Sequence, residues 1–478
     1  MRRLAGNLEL VHRLREIFGA DRISHSPAVS TVYARDLAAD AEWNLRAGRW
    51  PERPDFVVWP ETAEEISRLV RLANDWKIPI VPYGGGTGIR GGVRAVGGGI
   101  VCDMKRMNRL VWLDETALIV AVQAGITGTQ LERRLRRRGF TLGAFAFRHP
   151  ASTVGGVLAV RGGGPATERY GRLVDKVVKL RAVLPDGLIV KTFPAPRSAT
   201  GPDFDHLLLG SEGTLGIIFR ALLRVHMLPA SRTLVAARFD TLAEGADALR
   251  AMCRDGVRPA GAKLADPAEA RAFFMDPDLP PPVGFVLCAM FEGHPRRVEL
   301  EKEMAIDRVH HHGGRLVDDA LAEWWLRHPY AEPFRVAPAL AGSRVNFEWV
   351  DLSGTWGDLA GIYDAAHAAL SAIGDVTAHI SAPDANGAAL TLCVTGRPDG
   401  GVDDDEWNAA LGRACEAAMA AGAGISRHLG VGTRRIHAHE REAGAFADRL
   451  RDLKARLDPR GILNPGKLVA AAAPPEAR

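Results

Sequence analysis

The sequence predicts an α+β protein built from several domain-sized units. Three observations carry that reading. Short apolar runs such as Phe56-Val57-Val58 and Ile78-Pro79-Ile80-Val81-Pro82 read as buried strands. Amphipathic helical patterns fall between such runs. Glycine-rich loops recur at three places in the first half of the chain.

The elements follow in order. Leu8, Val11, Leu14, Ile17 and Phe18 recur at helical spacing and stop at Gly19. Residues 24–54 read as irregular, with Trp43 and Trp50 as packing anchors. Asp55 to Pro60 reads as a strand. Thr62-Ala63-Glu64-Glu65 is a capping-box pattern that opens a helix with Ile66, Leu69, Val70 and Ala73 on its apolar face. The strand before Pro82 then runs into Tyr83-Gly84-Gly85-Gly86-Thr87-Gly88. Glycine there permits positive φ and close approach of another group, and successive backbone N–H groups can form a concave site for a phosphate or pyrophosphate. A glycine-rich surface turn explains this one loop as well. No Lys-Ser or Lys-Thr pair closes it, and the glycine-rich stretch 91–99 cannot form the helix that a dinucleotide fingerprint needs.

Ile100 to Asp103 and Leu118 to Val122 are further short strands. A basic helix follows Ala124-Gly125-Ile126-Thr127, with Leu131 and Leu135 inward and Arg133, Arg134, Arg136, Arg137 and Arg138 mostly outward. With no interleaved aromatics, that charge run reads as a solvated face rather than a nucleic-acid patch. The second glycine cluster is Pro150-Ala151-Ser152-Thr153-Val154-Gly155-Gly156, followed by Gly162-Gly163-Gly164; the third is Gly210-Ser211-Glu212-Gly213-Thr214-Leu215-Gly216-Ile217-Ile218. Between them Val177 to Leu184 and Leu188 to Thr192 read as strands joined by the turn Pro185-Asp186-Gly187. Three such clusters point to an elongated, phosphate-bearing cofactor threaded between loops.

Composition narrows the class. A net charge of +4 and a pI near 8.9 suit an acidic small-molecule substrate and are too weak to argue for nucleic acid. Five scattered cysteines, an odd number without paired spacing, argue against a disulfide framework or zinc and favour a reducing cytoplasm. The N-terminus has no signal-peptide core, and no apolar stretch approaches the ~18 residues of a membrane span.

Taken together, Pro82 to Gly88, Gln123-Ala124-Gly125-Ile126-Thr127, Ser152 to Gly156 and Gly210 to Ile217 resemble the FAD-binding domain of the vanillyl-alcohol oxidase / p-cresol methylhydroxylase superfamily. The tail Asp458-Pro459-Arg460-Gly461-Ile462-Leu463-Asn464-Pro465-Gly466-Lys467 resembles that family's C-terminal signature. Arg197 to Asp203 and Ile425 to Gly432 are most similar to alkyldihydroxyacetonephosphate synthases and their bacterial FAD-linked relatives. The resemblance implies an N-terminal helical segment (1–52), an FAD-binding domain of two α/β subdomains (53–228) and a cap domain (229–410) of antiparallel sheet covered by helices. A C-terminal segment (411–478) would return to the FAD domain. It implies non-covalent FAD held by Pro82, Tyr83, Gly84, Gly85, Gly86, Thr87, Gly88, Pro150, Ser152, Thr153, Gly155, Gly156, Thr200, Asp203, Glu212, Gly213, Gly216, Ile217, Ile218 and Asn464. Covalent relatives attach flavin through a histidine, cysteine or tyrosine, and His149 does not match such a pattern.

At the family's catalytic positions the chain departs. The synthases carry three consecutive histidines where this chain has Arg427, His428 and Leu429, and a tyrosine where it has Asp384. An ionised carboxylate accepts hydrogen bonds, whereas a phenol also donates. Relatives acting on D-2-hydroxyacids build a metal site from two histidines and a glutamate, of which only His379 is matched, so no catalytic metal is expected. The run His310-His311-His312 reads as a polar helix end, because adjacent helical residues do not share a face. Arg335 matches a substrate-binding arginine within a small shift and fits a surface ion pair equally. Arg427 is a second cation for an anionic substrate. His428 reads as a general base or as a histidine packed under the cap.

The leading expectation is an FAD-linked oxidase or dehydrogenase that oxidises a hydroxylated, anionic small molecule by hydride transfer to flavin N5, with His428, Arg335, Arg427 and His379 as candidate catalytic residues. The alternatives are an alkyldihydroxyacetonephosphate-synthase-like transferase and a flavin-binding protein with degraded chemistry. The electron acceptor, oxygen or another carrier, and the oligomeric state, a homodimer included, stay open.

Overall fold

The computed structural model describes residues 4–38, 51–143, 147, 149–164, 167–192, 199, 201–274, 282–328, 346–396 and 404–470. The first sheet comprises β1 (Ile23–Ser24), β2 (Phe56–Val58), β3 (Ile80–Tyr83) and β4 (Ile100–Asp103), in the order β1-β2-β4-β3. Strands β2 and β3 both run parallel to β4. The helix Ala63–Trp76 makes the crossover between them. Its start is fixed by the Thr62–Glu65 capping box, in which each side chain takes the other residue's backbone N–H. Its buried face, Ile66, Leu69, Val70 and Ala73, joins Leu10, Leu14 and Phe18 of the helix Leu8–Phe18 in one core. Residues 24–54, expected to be irregular, contain the helix Pro27–Val32, whose N-terminal proline suits a first turn. Trp43 and Trp50 lie outside the described residues. The C-terminal segment returns to this sheet. Ile80 donates to the Ile462 carbonyl (2.7 Å) and accepts from the Asn464 N–H (2.8 Å).

A second, antiparallel sheet contains β5 (Leu110–Asp114) and β6 (Ile119–Gln123). After the short β7 (Phe140–Thr141) come β8 (Val177–Val183), β9 (Ile189–Lys191) and β10 (Ile217–Arg224). Their order is β5-β6-β10-β8-β9, while β7 pairs with β11 (His226–Met227). One face packs on the helices Gly128–Arg136 and Val154–Ala159 through Val120, Val122, Leu131, Leu135 and Leu158. Arg133, Arg134, Arg136, Arg137 and Arg138 are exposed.

The third sheet has seven strands: β12 (Ser231–Phe239), β13 (Gly261–Ala265), β14 (Phe285–Gly293), β15 (Arg315–Leu316), β16 (Phe347–Thr355), β17 (Gly374–Ser381) and β18 (Gly387–Gly396). Their order is β15-β12-β14-β13-β17-β18-β16 and every pairing is antiparallel. Because side chains alternate along a strand, Leu264, Leu287, Phe291, Leu352, Ile380 and Leu390 all meet the helices on one face. Truncating Phe291 there would cost about 3–5 kcal/mol. The opposite face carries polar groups. Ala265, His379, Thr391 and Asp351 are successive partners across four strands, forming one rung. The triple histidine ends the helix Pro295–His311, as the sequence suggests. Among the described residues, no helix is long and apolar enough to cross a membrane.

Candidate active site

The glycine loop after β3 is shaped by what lies beneath it. Lys105 Nζ donates to the Gly84 carbonyl (3.1 Å), pairs with the buried Asp103 carboxylate (2.8 Å) and sits over the Tyr83 ring. Thr87 Oγ1 and Ser152 Oγ, 2.9 Å apart, join this loop to the second glycine cluster. That cluster is not wholly loop: Thr153 caps the helix Val154–Ala159, so Gly155 and Gly156 are helical. Gly155 sits so close to Ala124 that a Cβ would come within 2.8 Å of the alanine methyl.

The two loops line one wall of a cleft of about 530 Å³, the size of a cofactor site. Gly213, Gly216, Ile217 and Ile218 line it from the third cluster, and Phe347 and Trp349 of β16 from the cap sheet. Among the described residues, the amide N–H groups of Gly85, Gly86, Thr87 and Gly88 have no acceptor within the protein. Four consecutive donors beside a cleft are suited to a pyrophosphate. A Cβ on Gly88 would meet nothing within 4 Å. By contrast, a Cβ on Gly85 would lie 2.1 Å from the Ala151 carbonyl oxygen, and one on Gly86 2.0 Å from the Tyr83 hydroxyl. Gly85 is therefore required by packing against the second loop, and Gly86 by its own positive φ and the Tyr83 side chain beside it.

A model of the FAD binding domain matches residues 54–192, and one of the C-terminal domain of FAD linked oxidases matches residues 228–468. The chain belongs to the FAD-linked oxidases. FAD is its cofactor, and the glycine cleft fits it. The chain is 27% identical to an alkyldihydroxyacetonephosphate synthase of Dictyostelium discoideum, over 96% of this chain and 80% of that protein. It is 28% identical to YgcU, an uncharacterized FAD-linked oxidoreductase of Escherichia coli, over 96% and 98%. A solved alkyldihydroxyacetonephosphate synthase superposes with a TM-score of 0.81 at 24% identity, covering 96% of this chain and 84% of that one. p-Cresol methylhydroxylase does so at 0.74 and 17%, covering 97% and 96%. These likenesses carry the expected α+β, p-cresol methylhydroxylase-type fold.

This FAD-linked oxidase brings most of the expected cofactor residues to the cleft: Pro82 to Gly88, Ser152, Thr153, Gly155, Gly156, Glu212, Gly213, Gly216, Ile217 and Ile218 all line it. Pro150, Asp203 and Asn464 do not. Pro150 accepts the Thr129 hydroxyl (3.0 Å), and Asp203 caps the helix Phe204–Leu208. Asn464 is buried behind the loops and donates to the Gly92 (3.0 Å) and Glu212 (2.6 Å) carbonyls. Thr200 and Arg335 lie outside the described residues.

His428 lines the cleft, and its Nδ1 lies 3.2 Å from Asp351 Oδ2. Asp351 is 0% exposed. The same oxygen accepts the backbone N–H groups of Arg427 (2.9 Å), His428 (2.8 Å) and Leu429 (3.3 Å), so one carboxylate holds the whole turn. His379 is on the same sheet face, two strands from Asp351, but does not line the cleft. Its Nδ1 is 2.8 Å from Glu269, which pairs with Lys263 (2.6 Å). Arg427 is largely buried, also outside the cleft lining, and interacts electrostatically with Glu168, Arg172 and Asp384. Burial pushes Glu168 up to about 7. Asp384, at the family's tyrosine position, ties down the β17–β18 turn by accepting from Asn386 (2.7 Å) and Gly387 (3.0 Å). Among the described residues, no group of three or more His, Cys, Asp or Glu is placed to hold a metal ion.

Sequence reasoning missed several cleft residues. Arg35, Asp36, Leu37 and Ala38 line it, and Asp36 accepts the Gly91 N–H (2.6 Å). Arg90 joins the glycine loop to the cap sheet: Nη1 meets Glu348 and Nη2 the Trp349 carbonyl, both at 2.6 Å. Burial pulls Arg90 down to about 10, against the Glu348 carboxylate. Its one sequence signal is an arginine set among glycines, in a stretch (83–99) whose only other charged residue is Arg94. The segment 35–38 carries none.

Proposed function

We propose that this FAD-linked oxidase oxidises a hydroxyl-bearing, anionic small molecule, with His428 accepting the hydroxyl proton. The observation that carries the reading is the cleft-lining His428 fixed to the buried Asp351. A carboxylate at Nδ1 orients an imidazole and stabilises its protonated form, which leaves proton exchange to Nε2. FAD, when bound, supplies a two-electron acceptor at its ring system. The chain supplies the rest: backbone N–H donors at Gly85 to Gly88 for the pyrophosphate, Phe347 and Trp349 to exclude water, and His428 for the proton. The anionic class is supported by the excess of basic residues, a net charge of +4. His379 is the second candidate for the proton.

The test is anaerobic mixing of the holoenzyme with a panel of hydroxy acids, neutral alcohols and aldehydes, followed by flavin absorbance. Bleaching by a hydroxy acid is the expected result. A holoenzyme bleached only by neutral alcohols would remove the anionic class, and one bleached by none of them the oxidative reading. Exchange of an acyl for an alkyl chain on dihydroxyacetone phosphate without net flavin reduction would replace it with the transferase reading.

A further inference from the structure

The second sheet has one face in the core and another that is strongly basic. Gln123, Arg220, Arg181 and Lys191 are successive partners across β6, β10, β8 and β9. They form a single rung, so Arg181 stands directly between two cations. Arg109 closes the end of the rung by donating to Gln123 Oε1 through its backbone N–H (3.0 Å) and Nε (3.4 Å). Lys179 lies on the neighbouring rung, opposite Leu222. Like charges directly opposed across strands destabilise a sheet.

Nothing among the described residues neutralises these groups by an ion pair. Nε of Arg181 and Nε of Arg220 are buried without an acceptor. One carboxylate, Asp205, is felt by Lys179, and it is engaged by the Thr192 hydroxyl (2.9 Å) and the Leu180 N–H (3.1 Å). Burial first, then Arg181 and Lys191, holds Lys179 below the usual lysine range. Burial first, then Arg181 and Arg109, does the same for Arg220. None of these residues lines the flavin cleft.

The geometry points to a second anion site on this face, formed by Arg181 and Arg220 with Lys179, Lys191 and Arg109 around them, for a multivalent phosphate group. Two guanidinium forks side by side match an oxyanion that accepts from both. A single carboxylate has too few oxygens and too little charge to satisfy this set. The phosphate has two possible sources, a soluble phosphorylated metabolite or a lipid headgroup. Trp112, 43% exposed and opposite Ala121 on the Lys179 rung, is the aromatic neighbour a headgroup surface would use.

The experiment uses the FAD-saturated holoenzyme, so that added pyrophosphate cannot enter the flavin cleft. At matched ionic strength, millimolar pyrophosphate should raise the melting temperature of the wild type by several degrees. In the double variant R181Q/R220Q that shift should vanish. The variant alone should keep its flavin spectrum and melt no lower than wild type, since an opposed cation pair is gone. Co-sedimentation with phosphatidic acid vesicles, against phosphatidylcholine vesicles, separates the sources. Vesicle binding lost in the variant assigns a lipid headgroup, and a pyrophosphate shift without vesicle binding assigns a soluble ligand. No response of the wild type to either probe, or an equal response of the variant, would overturn the site. If the variant does not fold, K179Q/K191Q should weaken pyrophosphate binding on the order of tenfold, and unchanged binding there would equally overturn it.

Discussion

The Glu212 carboxylate accepts the backbone N–H groups of Val431 (2.6 Å) and Gly432 (2.8 Å), 219 and 220 residues further along the chain. It thereby ties the third glycine cluster to the turn that carries His428. The Glu212 carbonyl meanwhile accepts from Asn464 of the C-terminal segment (2.6 Å). Three distant segments thus converge on one buried residue that holds a left-handed φ of 52°.

Replacing Glu212 with glutamine removes the charge that both N–H groups face. E212Q should lose roughly 1–3 kcal/mol of stability, the usual cost of breaking buried charge-assisted hydrogen bonds. Thermal unfolding with flavin fluorescence should show FAD released at a lower temperature than from wild type. An unchanged melting curve would mean that the turn is held elsewhere.

His428→Ala should retain FAD and fold but slow flavin reduction by on the order of 10²-fold, the usual contribution of a general base. Asp351→Asn should slow it as well, and should also lower stability, because Asp351 holds the Arg427 to Leu429 backbone. Stopped-flow reduction by a bleaching substrate is the measurement. A wild-type rate in H428A moves the search to His379 or His149.

The glycines of the first loop should separate into two groups. G85A forces a Cβ to 2.1 Å from the Ala151 carbonyl oxygen and should give a destabilised protein that is poor in flavin. G88A meets nothing within 4 Å. It should fold with a stability change within about 0.5 kcal/mol and show its effect only in FAD affinity. The ratio of 450 nm to 280 nm absorbance after gel filtration reads the first, and titration of FAD into apoprotein the second.

Acid precipitation should release all FAD into the supernatant. His149 lines the cleft, but its Nδ1 accepts the Ala151 N–H at 3.1 Å, a use that competes with covalent attachment through that atom. Yellow colour in the pellet would contradict this.

Glu168 gives a pH signature. Burial raises its pKa from 4.5 to about 7 in the folded protein. Between those values the folded state binds more protons than the unfolded chain, so this group's contribution falls as pH rises, by at most about 1.4 kcal/mol per pH unit. E168Q removes the proton. Its melting temperature relative to wild type should therefore climb from pH 5 to pH 7 and level off above. A constant difference would rule out Glu168 as the titrating group.

The sequence by itself determined where the glycine-rich loops fall and in what order. Glycine clusters, the capping box at Thr62 and alternating apolar runs are local signals, because backbone freedom and side-chain periodicity act within a few residues. It could not show that Asp36 and Arg90 join the cleft, that Asp351 holds His428, or that Asp384 serves a turn. Those outcomes depend on strand register and on the return of the chain from residues 425–464. Cross-strand neighbours such as His379 and Thr391, or Arg220 and Arg181, are set by pairing between segments far apart in sequence. A one-residue change in that register would turn the whole rung to the opposite face, so only the tertiary structure decides which charges meet.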